Sequence, residues 1–238
     1  MIKVAHLTKR FNDQTVLDDI NLDIKDGEIV AILGESGAGK SVLLKNLMGL
    51  LKPDQGTVEI NSVNITKLSE KELLKVRKGI GYLFQEGALY DFMNVFDNIA
   101  FPLCEHTDLD DAAIQKKVEE TLKFVDLEGI EKKFPSELSG GMKKRVGLAR
   151  SIILDSKIIF CDEPTSGLDP IRSRDISDLI KNVSQRLKCT IVMTSHDIRN
   201  SFRIADRLAL IHDGKITAIG TQKDLENSED PFVKAFVK

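Results

Sequence analysis

Buried strands alternating with amphipathic helices place this 238-residue chain in the α/β class, built on a parallel sheet. Three apolar runs carry that reading. Ile29-Val30-Ala31-Ile32-Leu33 is uncharged and stops at Gly34, Ile158-Ile159-Phe160-Cys161 stops at an acidic pair, and Thr190-Ile191-Val192-Met193-Thr194 stops just before His196. Runs without polar alternation fit strands covered on both faces, as a parallel sheet requires. Helical periodicity lies between them, at Ile114, Val118, Leu122, Val125 and again at Ile176, Leu179, Ile180, Val183, Leu187. Near the end, Leu208–Ile211 and Ile216–Ile219 flank Asp213-Gly214, a hairpin signal. The stretch 87–155 has helical periodicity and no buried run. It reads as a helical insertion that leaves 1–86 and 156–238 for the α/β core of a single domain, 1–238.

Hydrophobic residues make up 42% and charged residues 30%, enough apolar material for a packed core. Thirty-four Lys+Arg against 37 Asp+Glu leave a net charge of −3, which excludes a basic protein held to nucleic acid by bulk electrostatics. No run reaches the roughly 18 apolar residues of a membrane span, and Lys9 and Arg10 interrupt any signal-type core. Cys104, Cys161 and Cys189 show no CxxC spacing and sit among apolar neighbours, so each reads as a reduced, buried thiol, which suits a cytosolic compartment. The four histidines have no zinc-type spacing. Lys143, Lys144, Arg145 and Arg150 read as a solvated helix face.

The chemistry begins at Gly34-Glu35-Ser36-Gly37-Ala38-Gly39-Lys40-Ser41, which fits G-x-x-x-x-G-K-[ST] between a buried strand and an apolar helix opening at Val42. Glycines let successive N–H groups converge on phosphate oxygens, and the helix start adds its positive dipole end. Lys40 can reach the β- and γ-phosphates, and the Ser41 hydroxyl can ligate Mg²⁺. At the end of a second buried strand, Asp162 is placed for the Mg²⁺ shell and Glu163 to polarise an attacking water. Upstream, Leu138-Ser139-Gly140-Gly141-Met142 opens a helix with Met142, Val146, Ala149 and Ile153 on one face. On its own, Ser139 reads as an ordinary N-cap; with the glycines it is also a second anion-binding geometry.

Two phosphate-type helix starts in this order resemble the ABC-type ATPases, in which Leu-Ser-Gly-Gly is the signature sequence that completes the ATP site of a facing subunit. The resemblance covers essentially the whole chain and implies a RecA-like P-loop core with a small antiparallel β subdomain and an inserted helical subdomain. It implies ATP and Mg²⁺ as the groups bound and ATP hydrolysis as the reaction. Phe11 matches the aromatic that stacks on adenine, with a core phenylalanine as the competing reading. Gln85 matches the Q-loop glutamine at the metal and the water, Asp169 in Ser166-Gly167-Leu168-Asp169 the D-loop, and His196 the switch histidine. The implied nucleotide site joins Phe11, Gly34, Ser36, Gly37, Ala38, Gly39, Lys40, Ser41 and Val42 to Ser139, Gly140, Gly141 and Asp169. Its implied metal set is Ser41, Gln85 and Asp162, and its catalytic set is Glu163, His196, Gln85 and Lys40.

Leu138-Ser-Gly-Gly-Met142 departs from the commoner LSGGQ form. Leu83–Tyr90, Asn94–Asn98 and Phe101–His106 look like the ATPase subunits of MCE-type phospholipid transporters. That likeness implies a homodimer with two ATP molecules between its copies, on the cytoplasmic face of the inner membrane. A membrane permease would be gripped by Gly87–His106; an MCE-domain lipid-binding protein and a STAS-domain protein are the further implied partners. The competing assignments are a cell-division system and a small-solute importer. A regulatory or kinase-like P-loop protein would leave the signature sequence and His196 without roles.

Overall fold

A strand buried on both faces needs two covers, and the computed structural model, which describes residues 1–237, supplies them. The elements begin β1 (Ile2–Phe11), β2 (Gln14–Ile24), β3 (Ile29–Gly34), α1 (Lys40–Leu47), β4 (Gln55–Ile60), β5 (Val63–Asn64), α2 (Glu70–Arg77) and β6 (Ile80–Leu83). Helices follow: α3 (Val95–His106), α4 (Asp111–Phe124) and α5 (Gly140–Ile152). The chain then runs β7 (Ile158–Cys161), α6 (Pro170–Leu187), β8 (Thr190–Ser195), α7 (Ile198–Ile204), β9 (Arg207–His212), β10 (Lys215–Gly220), α8 (Gln222–Glu226) and α9 (Pro231–Val237).

The six-stranded sheet has the order β10-β9-β3-β8-β7-β6, with β10 antiparallel and the rest parallel. The second sheet, β2-β1-β4-β5, is wholly antiparallel. Side chains alternate across a strand, so each buried run is divided between two cores. Val30, Ile32, Ile158, Phe160 and Val192 face one core, where Leu43, Leu44 and Leu47 of α1 meet Ile2, Val4 and Leu7 of the antiparallel sheet. Ala31, Leu33, Ile159, Cys161, Ile191 and Met193 face the other, against Ile99, Leu103, Val146, Ile176 and Ile180. The P-loop helix α1 is therefore held between two sheets. No helix among the described residues is long and apolar enough to cross a membrane.

The segment before α3 is fastened by Asn98, which has no exposed surface. Its side-chain amide donates to the carbonyls of Tyr90 (3.1 Å), Met93 (3.0 Å) and Asn94 (3.0 Å), and its Oδ1 accepts from the Tyr90 amide (2.8 Å). Replacing it strands several buried backbone groups, each costly when unpaired. Asn98→Ala is expected to lower stability by about 2 kcal/mol. Urea unfolding followed by circular dichroism measures it, and a parent-like midpoint refutes it.

Two sequence expectations fail here. Cys104 is exposed; only Cys161 and Cys189 are buried, and burial pushes both thiols up, Cys189 to about 11. The apolar neighbours of Cys104 are neighbours in sequence, but α3 turns its Val95, Ile99 and Leu103 stripe inward and leaves Cys104 outside it. Nor are Lys144, Arg145 and Arg150 of α5 part of a solvated face. Lys144 is buried, Arg145 donates to the Val125 carbonyl at 2.8 Å, and Arg150 donates to the carbonyls of Gly87 and Ala88, both at 2.8 Å. Long basic side chains reach unpaired carbonyls through their apolar stems, a pairing that no local spacing announces.

Candidate nucleotide site

Parallel strands end on one side of their sheet, and residues just beyond those ends share a crevice. The order β3-β8-β7-β6 thus lines up the P-loop, His196, Asp162-Glu163 and Gln85 in that sequence across the sheet. At the loop itself, Gly39 caps α1 at φ 97°, a left-handed conformation that favours glycine. Space demands glycine too, since an added Cβ would lie 2.9 Å from Leu17 Cδ2 and 3.0 Å from the Val16 carbonyl oxygen. No side chain caps α1, so its first amides retain donor capacity for an anion.

Lys40 is buried among acceptors. Its ammonium donates to the carbonyls of Gly34 (2.8 Å) and Glu35 (3.0 Å) and lies 3.5 Å from Glu163 Oε1. Ser41 Oγ donates to Asp162 Oδ1 at 2.9 Å, and Thr194 Oγ1 donates to the same oxygen at 2.7 Å. The Tyr82 hydroxyl donates to Asp162 Oδ2 at 3.2 Å. Burial, with Asp162 adding to it, raises the Tyr82 phenol far above its usual range, so it stays a donor. Asp162 is thus aimed at Ser41 by two further hydroxyls, those of Thr194 and Tyr82.

Glu163 has φ 47°, rare for a non-glycine residue, and its amide donates to Thr194 Oγ1 at 3.0 Å. Thr194 therefore holds both members of the acidic pair. His196 Nδ1 lies 2.6 Å from Glu163 Oε2; with Glu163 ionised, the hydrogen between them sits on the imidazole. Gln85 Nε2 donates to Ser166 Oγ at 3.0 Å.

A cleft of about 540 Å³ results. Of the residues expected from sequence, Ser36, Gly37, Gly39, Lys40, Ser41, Val42, Gln85, Glu163 and His196 line it. Gly34, at the end of β3, and Ala38 are in the same P-loop sequence but do not line the cleft, and Asp162 is joined to it through Ser41. Phe11, Ser139, Gly140, Gly141 and Asp169 do not line it. The Phe11 ring is exposed, with Lys9 Nζ 5.4 Å from its centroid. Ser139 caps α5 by accepting from the Met142 amide at 3.4 Å. Asp169 caps α6 by accepting from the amides of Ile171 (3.1 Å) and Arg172 (3.0 Å), and the Arg172 bond holds its carboxyl below the usual range. Sequence reasoning missed Val16, which lines the cleft, and Thr194, Tyr82 and Ser166, which aim its acids and amide. Thr194 and Tyr82 each end or occupy a strand beside a motif, and that register was the available signal.

The donor set suits a nucleoside triphosphate with Mg²⁺: free helix amides and an ammonium for phosphate oxygens, and a hydroxyl paired with a carboxylate for a hard cation. A P-loop nucleoside triphosphatase is what this fold and this cleft define. A family profile described as ABC transporter matches residues 17–166. The MlaF intermembrane phospholipid transport ATP-binding protein of Haemophilus influenzae is 44% identical over 238 residues, covering 100% of this chain and 90% of that one. The probable ribonucleotide transport ATP-binding protein mkl of Mycobacterium leprae is 44% identical over 236 residues, 99% of this chain and 68% of that one. Among solved structures, the dimeric post-hydrolysis state of the ATP-binding cassette MJ0796 bound to ADP and Pi aligns with TM-score 0.85 at 32% identity, over 93% of this chain and 98% of that chain. The chain belongs to the ABC transporter family, as an ATP-binding and ATP-hydrolysing subunit.

Proposed function

We propose that this chain powers phospholipid movement through a membrane permease, working as a homodimer on the cytoplasmic face of the inner membrane. Its full-length likeness to the phospholipid-transport relative carries the substrate class. A second, local feature supports a permease partner. A groove of about 690 Å³ between α2, β6 and α3 exposes Leu74, Phe84 and Tyr90 and is also lined by half-buried Phe101, next to the segment that Asn98 fastens. It is apolar enough to seat a permease segment, and Phe84 connects it directly to Gln85 in the nucleotide cleft. On this reading the 87–155 insertion is the unit that links permease and nucleotide. MCE-domain and STAS-domain proteins complete the proposed assembly.

Within the site, the roles follow from the contacts. Lys40 exchanges its carbonyl acceptors for the β- and γ-phosphates, and the free amides of α1 bind the remaining phosphate oxygens. Ser41, Asp162 and Gln85 would hold Mg²⁺, which when bound would supply charge neutralisation at the phosphates. Glu163 accepts from the attacking water and is oriented by His196 and Thr194. Phe11 stacks on the adenine. Ser139, Gly140, Gly141 and Asp169, which lie outside the cleft of their own chain, serve the site of the second copy. Closing two copies over ATP and releasing them on loss of the γ-phosphate is then a ligand-ordered switch.

A small-solute substrate is the second reading, because the mkl relative is named for ribonucleotide transport. Reconstituting the chain with its co-purifying permease in proteoliposomes separates the two. ATP-dependent transfer of a fluorescent phospholipid supports the proposal. ATP turnover stimulated by nucleosides or nucleotides, with no phospholipid transfer, overturns it.

A further inference from the structure

A lysine five residues into a helix is ordinarily a solvated side chain. Burying its ammonium costs desolvation, and the positive end of the helix dipole adds to that cost. Lys144 on α5 is nevertheless only 5% exposed. Its Nζ donates to the Gln85 carbonyl at 2.9 Å and reaches the Glu163 carbonyl at 3.4 Å. Burial pushes its pKa below the ordinary lysine value, against the opposing pull of the Glu86 and Glu163 carboxylates. Those two carbonyls belong to residues just beyond the ends of two different strands, β6 and β7, and both residues line the cleft. An ammonium offers three donors and can hold both acceptors at once, and its hydrogen bonds are about twice as strong as neutral ones.

We propose that Lys144 is a positioning residue that ties the signature helix α5 to the backbones of Gln85 and Glu163, so that both side chains reach working register only when α5 is seated against the core. The proposal rests on the reading that Gln85 and Glu163 serve hydrolysis. Lys144 does not line the cleft; it acts through the two residues it holds. Because Ser139–Gly141 begin the same helix, the tether makes the seating of the signature turn and the placement of the hydrolytic residues one event. Arg150, farther along α5, holds the carbonyls of Gly87 and Ala88, which fixes the rest of that turn to the same helix.

Steady-state ATP hydrolysis and binding of a slowly hydrolysed ATP analogue by the full chain test this, in Lys144→Met, Lys144→Arg and Lys144→Gln variants. Lys144→Met is expected to lower kcat about tenfold or more while KM and analogue affinity move less than about threefold. Lys144→Arg keeps charge and donors, and is expected to restore kcat to within about threefold of the parent. The proposal is overturned by a Met variant with parent-like kcat, by an Arg variant as slow as Met, or by kcat and analogue affinity falling together. Should Lys144→Met fail to fold, Lys144→Gln carries the same expectation and the same refutation. Glu163→Gln, run in parallel, isolates the underlying reading. Turnover surviving in that variant refutes the hydrolytic assignment, whereas an unchanged rate at Lys144 refutes the tether alone.

Discussion

Glu163→Gln is expected to cut ATP turnover by about 10²–10³-fold while ATP binding and ATP-dependent pairing of two copies persist. The substitution is isosteric, so the backbone at φ 47° and its bond to Thr194 Oγ1 stay as they are. Lost are the negative charge 3.5 Å from the Lys40 ammonium and the basicity needed to take hydrogen from water. The phosphate-binding groups stay in place, since Lys40 keeps its bonds to the Gly34 and Glu35 carbonyls and the α1 amides and the Ser41–Asp162 pair do not involve the Glu163 side chain. Binding and chemistry should therefore separate cleanly in one variant. Phosphate release measures the turnover, and light scattering with and without ATP measures the pairing. Near-normal hydrolysis would remove Glu163 from the role of water-activating carboxylate.

What could be read from sequence divides along a physical line. Ile29–Leu33, Ile158–Cys161 and Thr190–Thr194 were readable as strands because burial on two faces strips a segment of polar residues, and that leaves a contiguous trace. The P-loop was readable because its glycines, lysine and serine act within one turn of chain. Contacts between distant elements leave no such trace. Lys144 and Arg150 look like surface cations until the fold brings Gln85, Gly87 and Ala88 beneath them. Cys104 looks buried until helical rotation is applied to its neighbours. Thr194 stood in plain view before His196, yet its joint hold on Asp162 and the Glu163 amide needs β8 to lie beside β7, which only the sheet order reveals.

Gly81 shows the same limit with a larger consequence for stability. It sits in β6, paired with Ile159, where β propensity alone would welcome valine. In the folded chain an added Cβ would lie 2.2 Å from the Ser151 carbonyl oxygen on α5. That carbonyl has little room to retreat, because Ser156 Oγ donates to it at 3.0 Å and anchors it to the next turn. Gly147 on the same helix is equally confined, with its Cβ position 3.0 Å from Leu83 Cδ1 and 3.2 Å from the Gly87 carbonyl oxygen. Bare backbone at these two points lets α5 lie directly on β6 and on the turn that carries Gln85. Gly81→Val is therefore expected to destabilise the protein by about 3 kcal/mol or more, since overpacking here displaces backbone rather than a flexible side chain. Gly129→Asn is the control. Its φ is +80° with no atom within 4 Å, and asparagine tolerates that conformation, so a change under about 1 kcal/mol is expected. Urea midpoints for the two variants decide the matter, and a parent-like midpoint for Gly81→Val would mean that α5 does not rest on β6 this closely. The folded remainder of Gly81→Val should also hydrolyse ATP more slowly, because lifting α5 by even a fraction of an ångström pulls Lys144 away from both carbonyls it holds.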